Sequence, residues 1–189
     1  PGATDRGVAC ASVGIVDGAP VPSSAGSTRP QAAGSGQGGR PDCMAIPGFI
    51  ARADIAVAAV RARFPQAAVH RVEAAASTGP TTTPMALDRL RVLFRDVDGT
   101  VLVAEETGYG EFGPVRRLDS LRLEGPSLEW PATMELAEAD NLKEQAAWID
   151  PYATVVLRGR AGGAEYVFGG APGVAEVVVD ATTGEVRGG

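Results

Sequence analysis

The sequence predicts an α+β protein of two tandem modules, each an antiparallel sheet packed on one helix, preceded by an irregular N-terminal arm. Three features predict it. Hydrophobic spacing switches twice from a helical to a two-residue period, a proline stops the helical stretch each time, and the first 48 residues show no sustained apolar period. The boundaries that follow are an arm over 1–48, a first module over 49–125 and a second over 126–189.

With 189 residues, 44% of them apolar and 21% charged, the chain can bury a core and suits one domain or two small ones. A net charge of -6 argues against a nucleic-acid partner, because phosphate binding needs clustered Lys and Arg. The arm is neutral, Asp5, Asp17 and Asp42 balancing Arg6, Arg29 and Arg40, so the folded body carries the whole excess. Lys143 is the one lysine among 17 basic residues, which together with abundant Ala and Gly reads as the bias of a GC-rich bacterial genome. No apolar run approaches the ~20 residues that cross a bilayer. The best, Ile55 to Val60, is flanked by Asp54 and Arg61. A start at Pro1 without Met reads as an exported protein after loss of its signal, or a trimmed form.

The elements follow in order. Ala53, Val57, Val60 and Phe64 recur at helical spacing, with Arg52, Arg61 and Arg63 assigned to the wet side and Pro65 as the stop, so 50–64 is a helix. Ala68 to Ala74 reads as a strand and 77–84 as a Thr- and Pro-rich loop. Leu90, Val92 and Phe94 alternate with Arg89, Arg91 and Arg95 as in a half-buried strand; Asp98-Gly99 is a hairpin turn, and Val101 to Glu106 returns. In the second pass Leu136, Ala139, Leu142, Ala146 and Ile149 mark a helix face, Glu135, Glu138, Asp140, Lys143 and Glu144 point elsewhere, and Pro151 stops the helix. Tyr152 to Arg158, Glu165 to Phe168 and Val174 to Asp180 then read as strands.

In the arm, Pro20 to Pro41 has the composition of a flexible linker, whose ordering costs about 1 to 2 kcal/mol per residue and needs a partner surface to offset it. Cys10 and Cys43 would pair in an exported protein. Closing that 33-residue loop disfavours the unfolded chain by roughly 3 to 4 kcal/mol. Two free thiols in a cytosolic protein is the alternative, and a lipid anchor on Cys10 has a poor approach in Gly7-Val8-Ala9.

No catalytic, cofactor or metal residues are expected. Neither cysteine forms a CxxC, and a single His cannot complete a zinc set. That residue, His70, reads as an ordinary strand residue, since no Ser or Cys beside it forms a nucleophile motif. Asp96-Val97-Asp98-Gly99 lacks the spacing of a calcium loop and reads as a turn. Glu105, Glu106 and Glu111 read as a solvated strand end rather than paired catalytic carboxylates, and Gly34 to Gly39 and Gly108-Tyr109-Gly110 as linker and turn. Trp130 and Trp148 flank the second helix, buried in the core or serving as anchors; with Tyr109 and Phe112 they are the candidate partner-binding residues.

Phe64-Pro65-Gln66-Ala67-Ala68-Val69 aligns with Asp150-Pro151-Tyr152-Ala153-Thr154-Val155, and Arg91-Val92-Leu93-Phe94 with Glu165-Tyr166-Val167-Phe168, which reads as an internal duplication. Val177-Val178-Val179-Asp180-Ala181-Thr182-Thr183-Gly184-Glu185-Val186 resembles the apolar strand followed by Asp-x-x-Thr-Gly-x-Val that ends PepSY domains, and Ala53 to Pro65 resembles their opening helix, with Gln66 replacing the usual Gly. The first copy ends Ala104-Glu105-Glu106-Thr107-Gly108, without the Asp. The resemblance implies small extracytoplasmic modules, one helix on an antiparallel sheet, that inhibit proteases or serve assembly and carry no catalytic residues. The expected function is therefore a non-catalytic extracytoplasmic protein-binding protein, an accessory or structural subunit of a cell-surface or periplasmic assembly, its partner another protein or further copies of itself. A protease inhibitor or propeptide-like chaperone is the second expectation, and an enzyme the third.

Overall fold

The structure, a computed structural model, describes residues 47–188. Helix α1 (Phe49–Arg61) is followed by strands β1 (Ala68–Ala75), β2 (Arg89–Arg95), β3 (Val101–Gly108), β4 (Glu111–Phe112) and β5 (Arg116–Leu118). Helix α2 (Leu136–Gln145) precedes β6 (Thr154–Arg160), β7 (Gly163–Gly169), β8 (Val177–Asp180) and β9 (Val186–Gly188). Helix followed by three antiparallel strands thus occurs twice in the chain order, the last strand of the second run being only four residues.

All nine strands join one antiparallel sheet, ordered β4-β3-β2-β1-β6-β7-β8-β9, with β5 also on the outer edge of β3. The two runs of strands meet where β1 pairs with β6, Val72 opposite Leu157 and Ala74 opposite Val155. Two separate sheets would have left β1 and β6 as unpaired edges; pairing them satisfies both rows of backbone groups at once.

Alternation decides which way each strand faces. Val72, Ala74, Leu90, Val92, Phe94, Leu102, Val155, Leu157, Tyr166 and Phe168 point to the side that carries both helices, and join Ala53, Ala56, Val57, Val60, Leu136 and Ala139 in one core. The first turn of α1 lacks a side-chain cap of its own. Glu135, the residue before α2, reaches across instead: its Oε2 accepts from Ile50 N at 3.4 Å, placing an anion on a helix N-terminus.

On the other side of the sheet, Leu118 of β5 and Leu121 and Leu123 of the segment after it pack against Leu93, Val101 and Val103. That segment then rounds the end of the sheet. Leu128 N donates to Val69 O at 2.9 Å, and Gly159 is needed where the backbones touch, since a Cβ there would lie 2.5 Å from Ser127 O.

The second helix ends earlier than its apolar spacing predicts. Ala147 adopts φ 67°, Trp148 N donates to Lys143 O and Ala147 N to Glu144 O, which closes the helix at Gln145 and leaves Ile149 71% exposed rather than on the buried face. Strands β4, β5 and β9, two or three residues each, carry too little pattern to be read from spacing.

Candidate functional site

Among the described residues the sheet face opposite the helices is only partly covered, and the side chains it presents follow from the registers. Arg71 lies opposite Arg158 across the β1/β6 seam, Glu73 opposite Arg91, Arg91 opposite Glu105, and Arg158 opposite Glu165. Like charges placed directly opposite repel. The sheet offsets this with two Arg–Glu–Arg triads. Glu73 forms an ion pair with Arg71, whose Nε lies 2.6 Å from Oε1 without hydrogen-bond geometry, and accepts from Arg91 Nε. Glu165 accepts from Arg158 at 2.8 Å and from Arg187 of β9 at 2.6 Å. Each triad keeps one positive charge in excess.

Further out on the same face, Arg116 of β5 pairs with Glu105 at 2.5 Å, and Arg160 with Asp180. Arg89 and Arg95 complete the set by strand parity. The strands therefore present eight arginines here against four carboxylates, while the rest of residues 47–188 holds six basic and sixteen acidic side chains. A body that is acidic as a whole turns one basic face outward. Within that face lies a depression of about 600 Å³, lined by Glu73, Ala75, Arg89, Arg91, Glu105, Thr154 and Val156 among others.

Glu105 and Glu106, neighbours in sequence, point to opposite sides of β3. Glu106 turns inward, where Nε of Arg52 donates to it at 2.9 Å; Gly110 N also donates to it, at 2.6 Å. Arg52, assigned to the wet side of α1 by its charge, is buried at 3% exposure, its Nη1 donating to Leu87 O at 3.1 Å. The acidic cluster of Glu105, Glu106 and Glu111 is thus not assembled.

Lys143 and Asp140, likewise assigned to the wet face of α2, are buried at 2% and 5% exposure. Lys143 Nζ donates to Trp148 O at 2.9 Å and lies 3.4 Å from Asp140 Oδ1, with the Tyr152 and Phe168 rings 5.3 and 5.7 Å away. Burial raises the Asp140 carboxyl above its ordinary range despite the opposing pull of Lys143, and burial followed by the Asp140 charge pushes the Tyr152 hydroxyl upward.

His70 sits at the β-bulge between Val69 and Arg71, buried at 3% exposure. Burial, then Arg95 and Arg71, holds its pKa below the ordinary value, against a hydrogen bond with the Glu124 backbone, and Nδ1 has no partner among the described residues. Asp96 to Thr100 closes the β2–β3 hairpin, with Thr100 N on Asp98 Oδ1 at 2.8 Å and Gly99 at φ 81°. Asp180 does similar work in the β8–β9 turn, its Oδ1 accepting from Thr182 N at 2.8 Å and Thr183 N at 3.1 Å.

The four candidate partner-binding aromatics do not share one surface. Trp130 is half-buried and its Nε1 donates to Asp54 of α1 at 2.8 Å; Tyr109, 44% exposed, covers Arg52 at 4.2 Å; Phe112 packs against the core. Trp148 lies at the far edge against Gly188 of β9. Cys10 and Cys43 lie outside the described residues. The basic sheet face went unread in the sequence because the arginines come from five strands, although the alternation of Arg89, Arg91 and Arg95 was a signal of it.

These features define an α+β fold in which two helices cover one side of a nine-stranded antiparallel sheet. No protein family and no curated relative matches the chain. Among solved structures it is similar to the crystal structure of a candidate lipoprotein from Clostridium difficile 630, with a TM-score of 0.50 and 14% identity over 71% of this chain and 90% of that one. At that identity the likeness is one of fold. No helix among the described residues is long and apolar enough to cross a membrane.

Proposed function

We propose that this chain is a non-catalytic protein-binding subunit of an extracytoplasmic assembly, at the cell surface or in the periplasm, built from two PepSY-like units that share one sheet. The observation that carries this reading is the basic face, which concentrates arginines on an otherwise acidic body and whose central depression no segment among the described residues covers. The repeated order of helix and three strands and the Asp180 turn support the two-unit reading. The fold likeness to a candidate lipoprotein supports the location.

A photo-crosslinking residue placed at the exposed Thr154 of the open face, in the full chain in its native cell, tests the binding reading. A discrete protein adduct is expected from Thr154 and none from the same probe at the exposed Glu138 of α2. Adducts from both positions alike, or from neither, would overturn it.

A further inference from the structure

We infer that the open sheet face takes an acidic, extended segment of a partner protein, whose carboxylates engage the two Arg–Glu–Arg triads beside the β1/β6 seam. The inference rests on the binding reading above and names the chemistry of the partner.

Three observations carry it. Arg71 and Arg158 oppose each other across the seam, and an arriving carboxylate between the triads relieves their repulsion. Each guanidinium has five N–H donors, of which its triad glutamate accepts at most two, so donors remain for a partner's carboxylates. The side chains of Arg91, Arg158 and Arg187 are about half exposed, at 52%, 51% and 46%, so the forks are reachable without unfolding anything.

The shape selects a protein over other polyanions. A bilayer surface is flat and would leave the 600 Å³ depression lined by Ala75 and Val156 empty, whereas side chains of an extended segment can enter it. The acidic remainder of the body, six bases against sixteen acids, repels a nucleic-acid backbone that extends beyond the face.

The test uses the full chain and a fluorescent peptide alternating Glu with Ala, with a Lys-Ala peptide, a Ser-Ala peptide and phosphatidylglycerol vesicles beside it. The acidic peptide is expected to bind best and to weaken as salt rises. The double variant Arg71→Gln, Arg158→Gln should weaken it about tenfold, and Arg61→Gln, Arg63→Gln on the helix side should leave it unchanged. Glu73→Gln with Glu165→Gln removes the internal carboxylates and should tighten binding about fivefold, a sign that simple misfolding does not produce. Equal binding of the three peptides, tighter binding to vesicles, or a self-association that the double arginine variant abolishes would each overturn the inference. If the acidic peptide fails while the Thr154 adduct persists, the partner chemistry is wrong and the binding reading stands; if both fail, the reading itself is wrong.

Discussion

Arg52 and Glu106 form an ion pair between α1 and β3 with side-chain exposures of 3% and 1%, inside the layer of helix and sheet rather than at its rim. Removing one partner of such a pair strands a charge in a poor solvent, a cost of about 3 to 5 kcal/mol, whereas replacing both by apolar groups is far milder. Glu106→Gln should therefore lower stability by about that amount in urea denaturation, and the pair Arg52→Met, Glu106→Leu should recover most of it. Glu105→Gln, one residue away on the open face, should stay within about 0.5 kcal/mol. Equal losses at 105 and 106 would show that the buried pair is not what matters.

Ala147 holds φ 67° at the end of α2, where the Trp148 N to Lys143 O and Ala147 N to Glu144 O bonds close the helix. A left-handed backbone costs an L-residue roughly 1 kcal/mol that glycine does not incur. Ala147→Gly should raise the unfolding free energy by about 1 kcal/mol, since position 147 is exposed and no packing is lost. A loss of stability would mean the turn relaxes away from this conformation in solution.

His70 is the chain's one histidine, so its ring proton gives a single NMR titration curve. The midpoint should fall below 6.5, because burial and the two nearby arginines favour the neutral ring. The folded state then binds fewer protons than the unfolded chain in the window below 6.5. The stability that depends on the neutral ring is complete above 6.5 and is lost as pH falls through the folded value. His70→Gln should remove that step from the difference in unfolding free energy between pH 7 and pH 5. A midpoint at or above 6.5 would contradict the burial of the ring beside the Glu124 backbone.

How far the sequence could be read depended on whether a residue's type agreed with its position. Leu90, Val92 and Phe94 alternate with arginines, and both periodicity and burial agree, so β2 was legible. Arg52, Glu106, Asp140 and Lys143 were assigned outward by charge alone, yet position already placed three of them inward. Glu106 shares strand parity with Leu102 and Ala104, Lys143 is seven residues from Leu136 and four from Ala139, and Arg52 adjoins Ala53 and Ala56 on α1. The joining of β1 to β6 left no local trace, because each strand reads the same whether its neighbour is near or distant in sequence. Each Arg–Glu–Arg triad forms within one run of strands, on β1 and β2 or on β6, β7 and β9, and only the placing of the two triads side by side depends on that joining.

The Lys143–Asp140 pair supplies a sharper test, because its two halves act at different pH. Asp140 has its carboxyl raised above 3.8 by burial, so the folded protein holds a proton there that the unfolded chain has released, and stability falls as pH rises through the window above 3.8. Lys143 opposes this without cancelling it. Lys143→Met removes that pull and leaves Asp140 buried beside Tyr152 with no cation, which should cost about 3 to 5 kcal/mol at pH 7. The cost should shrink below pH 3.8, where Asp140 is protonated in both states, and the variant's stability should decline more steeply than the wild type's as pH rises. Adding Asp140→Asn should recover much of the loss at pH 7, giving a coupling between the two positions rather than additive damage. Urea denaturation of the wild type, Lys143→Met, Asp140→Asn and the double variant from pH 3 to pH 7 decides it: a pH-independent cost for Lys143→Met would mean that the lysine acts through its stem and its bond to Trp148 O, not through its charge.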